Sequence, residues 1–367
     1  MNTTILSQSD IQHVITSVGI DQLMDELISK LDDAFRNFDP RHTKVPLRDG
    51  FNYSSPRQGL LEWMPMLESG QHVLMKMVGY HPRNPDLYHL PTILSDFSLY
   101  NAQTGQLEAI VDGTLLTALR TGAASAVASR VLANPLSHTI GLIGCGAQSV
   151  TQLHALSRIF SVRHVCYYDI DQSAMDSFEE RCRKFVGDAV FEGSSIEDIV
   201  AKADVVTIAT SIDIGAGPVF TDCPTKAHLH INAVGSDFPN KFELPLEMLQ
   251  RSYITPDIRA QADNEGECQQ LEASQIGDEL YQLMQHKKKL MSLRKGLTVF
   301  DSTGWVIEDY VATKLLLKHA LRLGVGSKVW FGTLSQDPKN PYQFLEPNPK
   351  ATSLESLSAM LPLGGVS

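Results

Sequence analysis

The sequence feature that most constrains this chain is a glycine-rich turn between a short apolar strand and a helical segment. The strand is TIGLI at residues 139–143, and the turn Gly144–Ser149 follows the pattern G-x-G-x-x-S. Two glycines allow a tight turn in which backbone amides approach a diphosphate, and the start of the helix adds partial positive charge. Such turns also occur with a purely structural role. A strand before the turn and a helix after it favour a dinucleotide site.

An acidic residue supports the same interpretation. Asp169 ends the next predicted strand, HVCYYD at residues 164–169. A carboxylate at this place accepts hydrogen bonds from the ribose hydroxyls and repels a 2′-phosphate, so NAD is favoured over NADP. Cys145, inside the turn, is interpreted as a small space-filling side chain rather than a nucleophile.

Strands and helices continue to alternate beyond the turn, which predicts a parallel sheet covered by helices. The N-terminal third mixes helix and strand patterns, and 367 residues are enough for two domains. We therefore predict an α/β fold, with a Rossmann-type doubly wound parallel sheet at residues 131–304 inserted into an α+β substrate domain made of residues 1–130 and 305–367. The predicted elements are helices at 11–38 and 114–132 and strands at 59–78, 90–100, 107–112, 203–210, 230–234 and 297–301.

Composition excludes several classes of function. A formal net charge of −11 disfavours nucleic acid as a partner. The five cysteines have no C-x-x-C spacing and the histidines no ligand spacing, so we expect a reducing compartment and no metal site. No apolar run is long enough to cross a bilayer and the first residues do not resemble a signal peptide, so a cytoplasmic protein without a membrane partner is expected.

Five charged residues stand out as candidates for a site. Arg48, Lys76 and Arg120 lie in or beside apolar segments, where a cation either extends to the surface or binds an anion. Asp237 follows a predicted strand of the parallel sheet, so it either faces the nicotinamide end of a cofactor or caps a turn. Glu62 stands between bulky apolar residues, on the solvent side of a strand or in a pocket.

Several motifs occur in order from about residue 10 to 345. They are Glu62–Pro65, Lys76 with Gly79–Asn84, Thr117–Ser125, Ile143–Ser149, Asn232–Lys241 and Val299–Gly304. Together they resemble the ornithine cyclodeaminase/μ-crystallin family. The resemblance is greatest to the bacterial ornithine cyclodeaminases, because of Glu62, the segment Glu265–Leu271 and the stretch from Lys328 to Pro338.

The resemblance implies a role for each candidate. Arg48, Lys76 and Arg120 would hold a substrate carboxylate, and Thr303 would also contact the substrate. Asp237 would be the catalytic acid and base and contact the substrate, while Glu62 would orient a water or a side-chain ammonium. The residues implied to bind NAD are Thr92, Arg120, Gly144, Cys145, Gly146, Ala147, Gln148, Asp169, Thr210, Val234, Gly235, Ser236, Lys241 and Ser302.

The implied reaction converts L-ornithine to L-proline and ammonia through an α-imine, with the same hydride returned, so that NAD is not consumed. The attacking side-chain amine must be neutral, which requires a nearby acid to accept its proton. An NAD(P)-dependent amino-acid dehydrogenase, a cyclic ketimine reductase or a non-catalytic binder on the same scaffold are alternatives, as are lysine or diaminobutyrate as substrates. The resemblance also implies a homodimer formed through the substrate domain.

Overall fold

The structure is a computed structural model that describes residues 2–285 and 287–345, so the end of the predicted third segment, 346–367, lies outside the described residues. The strands are β1 Asn2–Leu6, β2 Thr43–Lys44, β3 Asp49–Tyr53, β4 Gly59–Glu68, β5 His72–Tyr80, β6 Ile93–Asn101, β7 Leu107–Asp112, β8 Thr139–Ile143, β9 His164–Tyr168, β10 Val190–Gly193, β11 Val205–Ile208, β12 His230–Ala233, β13 Tyr253–Pro256, β14 Thr298–Asp301 and β15 Ser327–Trp330. The helices are α1 Gln8–Val18, α2 Ile20–Arg36, α3 Asn84–Tyr88, α4 Thr114–Leu132, α5 Ala147–Ser157, α6 Gln172–Asp176, α7 Phe178–Val186, α8 Ile196–Lys202, α9 Leu246–Gln250, α10 Arg259–Ala262, α11 Leu280–Gln285, α12 Lys287–Leu293 and α13 Val306–Leu323.

The strands from β8 to β14 form one parallel sheet in the order β10-β9-β8-β11-β12-β14-β13. Its central strands β8, β11 and β12 are buried along their whole length, as expected for a parallel sheet with helices on both faces. The strand order reverses between β8 and β11, and ligands of such sheets bind in the crevice beyond the carboxyl ends at that point. The predicted α/β fold class is confirmed.

The remaining described strands form a second sheet in the order β15-β1-β7-β6-β5-β4-β2, with β3 also paired to β4. β1 lies parallel to β7 and antiparallel to β15, which returns the chain to this sheet after α13. The sequence analysis did not predict β1, β2, β3 or β15, because these strands are short; β1 and β15 also pair with strands far away along the chain. The domain boundaries at 130/131 and 304/305 remain a prediction.

Two glycines shape the helices that lie between the sheets. The helical stretch predicted at 11–38 is two helices separated at Gly19, whose φ of +91° ends the first. In α4, a Cβ atom on Gly122 would lie 2.5 Å from the carbonyl oxygen of Thr151, so only glycine allows α4 and α5 to pack this closely. Because α4 also carries Arg120, this contact fixes one candidate cation relative to the helix that follows the glycine turn.

Candidate functional site

The glycine turn has the backbone geometry that a dinucleotide needs. Gly144 has φ +92°, and a Cβ atom there would lie 2.5 Å from the carbonyl oxygen of Ala209. Among the described residues, a Cβ atom on Gly146 would meet nothing within 4 Å, and no side chain caps the helix that begins at Ala147. The amides of the first turn are therefore free to bind an anion. Ser149 is buried and its hydroxyl donates to the carbonyl oxygen of Gly144 at 2.5 Å, which closes the turn.

The carboxylate of Asp169 lies against this turn, where the sequence places it. One oxygen accepts a hydrogen bond from the amide of Cys145 at 2.6 Å, and the other accepts one from the amide of Asp171 at 2.9 Å. Cys145 is buried, and burial raises the pKa of its thiol to about 12. A thiol that stays protonated is not a nucleophile, which agrees with its interpretation as a space-filling residue.

The other candidate cofactor residues are divided between the crevice and its surroundings. The loops after β11, β12 and β14 carry most of them, and the hydroxyl of Ser302 is buried with no hydrogen-bond partner among the described residues. Gln148 instead packs α5 against α4, because its amide donates to the carbonyl oxygen of Ala118 at 3.3 Å. Thr92 accepts a hydrogen bond from the amide of His81, and no contact in the described residues ties it to the glycine turn. The loop residues are Thr210, Val234, Gly235, Ser236, Lys241 and Ser302.

Two buried cations share one carboxylate on the other side of the crevice. The Lys76 Nζ lies 2.9 Å from Oδ1 of Asp309, and the Arg120 Nε lies 3.0 Å from the same oxygen. Nη1 of Arg120 also lies 2.7 Å from the carboxylate of Glu308. All four side chains are at least nine-tenths buried, so neither cation extends to the surface. Both acids belong to the first turn of α13, which orients the cations.

Arg48 completes this set of cations. Its guanidinium lies 3.5 Å from the carboxylate of Glu62 and 3.1 Å from that of Glu265, and it donates to the carbonyl oxygen of Thr303. Burial lowers the pKa of Lys76 to about 8 against the attraction of Asp309, and the positive charges of Arg120 and Arg48 lower it further. The three predicted cations therefore converge, which the sequence alone did not show.

Three carboxyl groups face these cations. Burial raises the pKa of Glu62, the Arg48 charge opposes that shift, and the Asp237 charge adds to it. Burial likewise raises the pKa of Glu265 to about 7. The charge of Arg48 opposes this rise, and the charges of Glu62 and Asp237 add to it. The side chain of Asp237 is 38% exposed and lies 2.8 Å from Nζ of Lys241. Glu62 is thus mostly buried rather than directed to solvent. Asp237 is paired with Lys241, for which the resemblance implies a role only in cofactor binding.

The loop after β14 lies against both Arg48 and Arg120. Gly304 has φ +93°, and a Cβ atom there would lie 3.1 Å from the guanidinium of Arg120. The hydroxyl of Thr303 donates to Asp257 at 3.0 Å, and the amide of Gly304 donates to the same carboxylate at 2.7 Å. This holds Thr303 between Arg48 and Arg120, where the sequence resemblance places a substrate contact.

Sequence reasoning gave no role to four acids of this site. Asp257, Glu265, Glu308 and Asp309 each contact one of the candidate residues described above. One weak signal was available: Glu308 and Asp309 stand between apolar residues at the start of α13, although acids are also common in the first turn of a solvated helix. We refer below to Gly144–Ser149 with Asp169 as the glycine-turn end, and to the cations with the carboxyls that face them as the charged end.

Among the described side chains, no group of histidine, cysteine and acidic residues could hold a metal ion. In the described part of the chain, no helix has the length and hydropathy needed to cross a membrane.

Comparisons with known proteins agree with the geometry. The model of the ornithine cyclodeaminase/mu-crystallin family matches residues 8–322. L-lysine cyclodeaminase of Streptomyces rapamycinicus is 38% identical over 93% of this chain and 99% of its own length. Ornithine cyclodeaminase of Agrobacterium tumefaciens is 34% identical over 84% of each chain.

Two solved structures extend the comparison to the fold. A lysine cyclodeaminase, studied for its recognition of L-lysine, L-ornithine and L-2,4-diaminobutyric acid, has a TM-score of 0.90 and 44% identity, covering 94% of this chain and all of the other. An archaeal alanine dehydrogenase dimer with bound NAD has a TM-score of 0.79 and 30% identity, covering 90% of this chain and all of the other.

Proposed function

The chain belongs to the ornithine cyclodeaminase/mu-crystallin family, and from that premise we propose that it is an NAD-dependent cyclodeaminase of α,ω-diamino acids. It converts L-ornithine to L-proline, or L-lysine to its six-membered homologue, with release of ammonia. Both substrates are proposed because relatives named for lysine and for ornithine are similar over most of the chain.

The observation that carries this proposal is the separation of charge at the charged end. A diamino acid carries one carboxylate and two ammonium groups. Lys76 and Arg120, with Arg48 beside them, offer buried donors for the carboxylate. Glu62, Glu265 and Asp237 offer acceptors for the ammonium groups. A mono-amino acid such as alanine has no second ammonium to engage this many carboxyls.

The glycine-turn end has the groups needed to hold NAD. The uncapped amides of α5 would bind the diphosphate, and Asp169 would accept hydrogen bonds from the adenosine ribose. The partnerless hydroxyl of Ser302 and the open space at Gly146 also fit a bound dinucleotide. When bound, NAD would supply the group that takes up and gives back hydride in this reaction.

The residues of the charged end then handle position and protons. The three cations fix the carboxylate, so that the substrate Cα keeps one orientation; positioning of this kind contributes several kcal/mol to catalysis. Asp237 takes a proton from the α-ammonium. Glu265, whose pKa of about 7 suits exchange near neutral pH, takes one from the side-chain ammonium with Glu62 beside it. The neutral amine then bonds to Cα and passes a proton to the α-nitrogen, whose bond to Cα breaks as it leaves as ammonia.

We also propose that the protein is a homodimer joined through the second sheet, which contains β1–β7 and β15. Large apolar side chains are exposed on and beside strands β3, β4 and β6, in the part of the chain assigned to the substrate domain. Clusters of this kind mark interaction surfaces. Light scattering of the purified protein tests this directly: a dimer mass supports the assignment and a monomer mass rejects it. The residues are Phe51, Leu61, Tyr88, Ile93 and Leu94.

The stoichiometry of the reaction tests the main proposal. Purified protein with a trace of NAD is incubated separately with L-ornithine, L-lysine, L-2,4-diaminobutyrate and L-alanine, and ammonia, cyclic amino acid and NADH are measured. A cyclodeaminase yields ammonia and a cyclic product in equal amounts, many times the NAD present, without accumulating NADH. In parallel assays, NADH that forms from excess NAD together with ammonia would identify a dehydrogenase. Oxidation of added NADH by a cyclic ketimine, without release of ammonia from any diamino acid, would identify a reductase.

A further inference from the structure

Three buried carboxyl groups behind the crevice are used by nothing described so far. They are Glu243, Glu267 and Asp301, each fully buried, and we call them the carboxyl ladder. Among the described residues none of them forms a salt bridge of 4.0 Å or less with a cation. Three uncompensated acids are costly to bury, so their hydrogen bonds indicate what they do.

Glu243 joins the loops that follow β11 and β12. One of its oxygens accepts hydrogen bonds from the amide of Thr210 at 2.7 Å and from its hydroxyl at 2.6 Å. The other oxygen accepts from the amide of Gly235 at 3.0 Å. A Cβ atom on Gly235 would lie 2.4 Å from the Glu243 carboxylate, so the loop needs glycine at this point. Asp237 stands two residues further along the same loop.

The other two acids extend this connection to β14 and to Glu265. Glu267 accepts from the amide of Glu243 at 2.7 Å, while its own amide donates to Asp301 at 2.9 Å. Asp301 is the last residue of β14 and precedes the loop of Ser302 and Thr303. Gly266, next to Glu265, has φ +75°, and a Cβ atom there would lie 2.7 Å from Asp301. The ladder therefore connects the three loops that follow β11, β12 and β14, and these loops carry the crevice residues.

We propose that Glu243 is a positioning residue that holds the Asp237 loop against the loop of Thr210, and so sets the acid–base group relative to the bound cofactor. This rests on the proposed function. All three of its bonds are accepted, which a carboxylate can do and an amide cannot. In Glu243→Gln, the amide oxygen keeps the two Thr210 donors and the NH₂ group faces the amide of Gly235. Two N–H donors then face each other, so the contact with the Asp237 loop is lost while the contacts with Thr210 remain.

The first test compares Glu243→Gln with Glu247→Gln, an exposed glutamate four residues later. We expect Glu243→Gln to lower kcat for the diamino acid by about 10- to 100-fold, as displacements of about 1 Å do. We expect KM for the diamino acid to change less than threefold and the NAD Kd, measured by calorimetry, to rise about tenfold from movement of the loops. Glu247→Gln leaves all three unchanged. Unchanged kcat and NAD affinity in Glu243→Gln would overturn the proposal.

A double-mutant cycle separates positioning from general stabilisation. If Glu243 acts through Asp237, Glu243→Gln costs less than threefold in kcat when Asp237→Asn is already present. Costs that multiply independently would show a structural role and overturn the assignment. Should Glu243→Gln fail to fold, Gly235→Ala takes its place in the cycle. Its added Cβ atom meets the Glu243 carboxylate and displaces the same loop.

The cofactor measurement keeps this inference separate from the proposed function. If the wild-type protein has no cyclodeaminase activity, the proposed function fails while the NAD Kd still reports on the ladder. A weaker NAD affinity in Glu243→Gln, with Glu247→Gln unchanged, would still support the role of Glu243 in holding the loops. Equal affinities would reject it.

Discussion

The two ends of the site differ in what they present to a ligand. The glycine-turn end presents backbone amides at an exposed helix start, and its exposed Gly146 leaves open space around it. The charged end instead buries most of its side chains, which are of both signs: Arg120 is only 5% exposed and Glu308 is fully buried, whereas Asp237 is partly exposed. One end is thus made by local backbone conformation, and the other by contacts between distant segments.

This difference predicts different responses to mutation. Backbone amides remain when a side chain changes. Apart from Gly144, whose positive φ favours glycine, the glycine-turn end should therefore keep its stability on substitution and lose affinity for the cofactor. Buried charges depend on each other, because removing one leaves its partner without compensation in a medium of low dielectric constant. The charged end should therefore respond in both activity and stability.

The largest effect is expected at Asp237. In Asp237→Asn we expect kcat/KM for the diamino acid to fall by about 10² to 10⁴, because a general acid–base group contributes that much. The NAD Kd should stay within twofold, since the glycine-turn end is intact. Steady-state kinetics and calorimetry measure the two, with exposed Asp188→Asn as the control. Unchanged turnover in Asp237→Asn would remove this residue from the mechanism.

Arg120 offers the next largest effect, on stability. Arg120→Met leaves Glu308 and Asp309 buried without the guanidinium that holds them. We expect the free energy of unfolding to fall by about 3–5 kcal/mol, measured by urea denaturation. Arg41, whose salt bridge with Asp39 is exposed, gives the matched variant Arg41→Met, which should unfold at the same urea concentration as wild type. Equal losses in both variants would contradict the comparison between buried and exposed charge.

The pH dependence of kcat/KM sharpens the roles within the charged end. Glu265 must be ionised to accept a proton, so activity should rise with pH through its pKa of about 7. Lys76 must be charged to bind the carboxylate, so activity should fall as pH rises through its pKa of about 8. We expect a bell with a change of about tenfold per pH unit on each side. In Glu265→Gln the rising limb near pH 7 should disappear while the falling limb stays; a rising limb that persists would assign it to another group.

The smallest effect is expected at the glycine turn itself. Gly146 has φ −75° and open space, so Gly146→Ala should leave stability within about 0.5 kcal/mol and weaken NAD about tenfold by occupying the approach to the amides. Gly144 has positive φ and a close carbonyl, so Gly144→Ala should cost about 1–3 kcal/mol. Chemical denaturation and calorimetry separate the two. Equal stability losses in both variants would show that the turn is not the open cradle described above.

The same contrast explains which parts could be predicted from sequence. The parallel sheet, the glycine turn and Asp169 depend on short-range pattern, and the structure places them as expected. Asp309 was missed because its partners Lys76 and Arg120 are 233 and 189 residues away, and sequence pattern does not show whether an acid is solvated or paired. The carboxyl ladder was missed for the same reason, although Glu267 and Asp301 belong to the segments Glu265–Leu271 and Val299–Gly304 that supported the resemblance.

The fate of the substrate α-hydrogen tests the central claim most directly. With L-ornithine or L-lysine deuterated at Cα and a trace of unlabelled NAD, the cyclic product is analysed by mass spectrometry as turnover proceeds. The account predicts that nearly every product molecule keeps one deuterium at the ring carbon bearing the carboxylate, because the hydrogen removed is the hydrogen returned. Deuterium that collects in NADH, or a product without label, would contradict it.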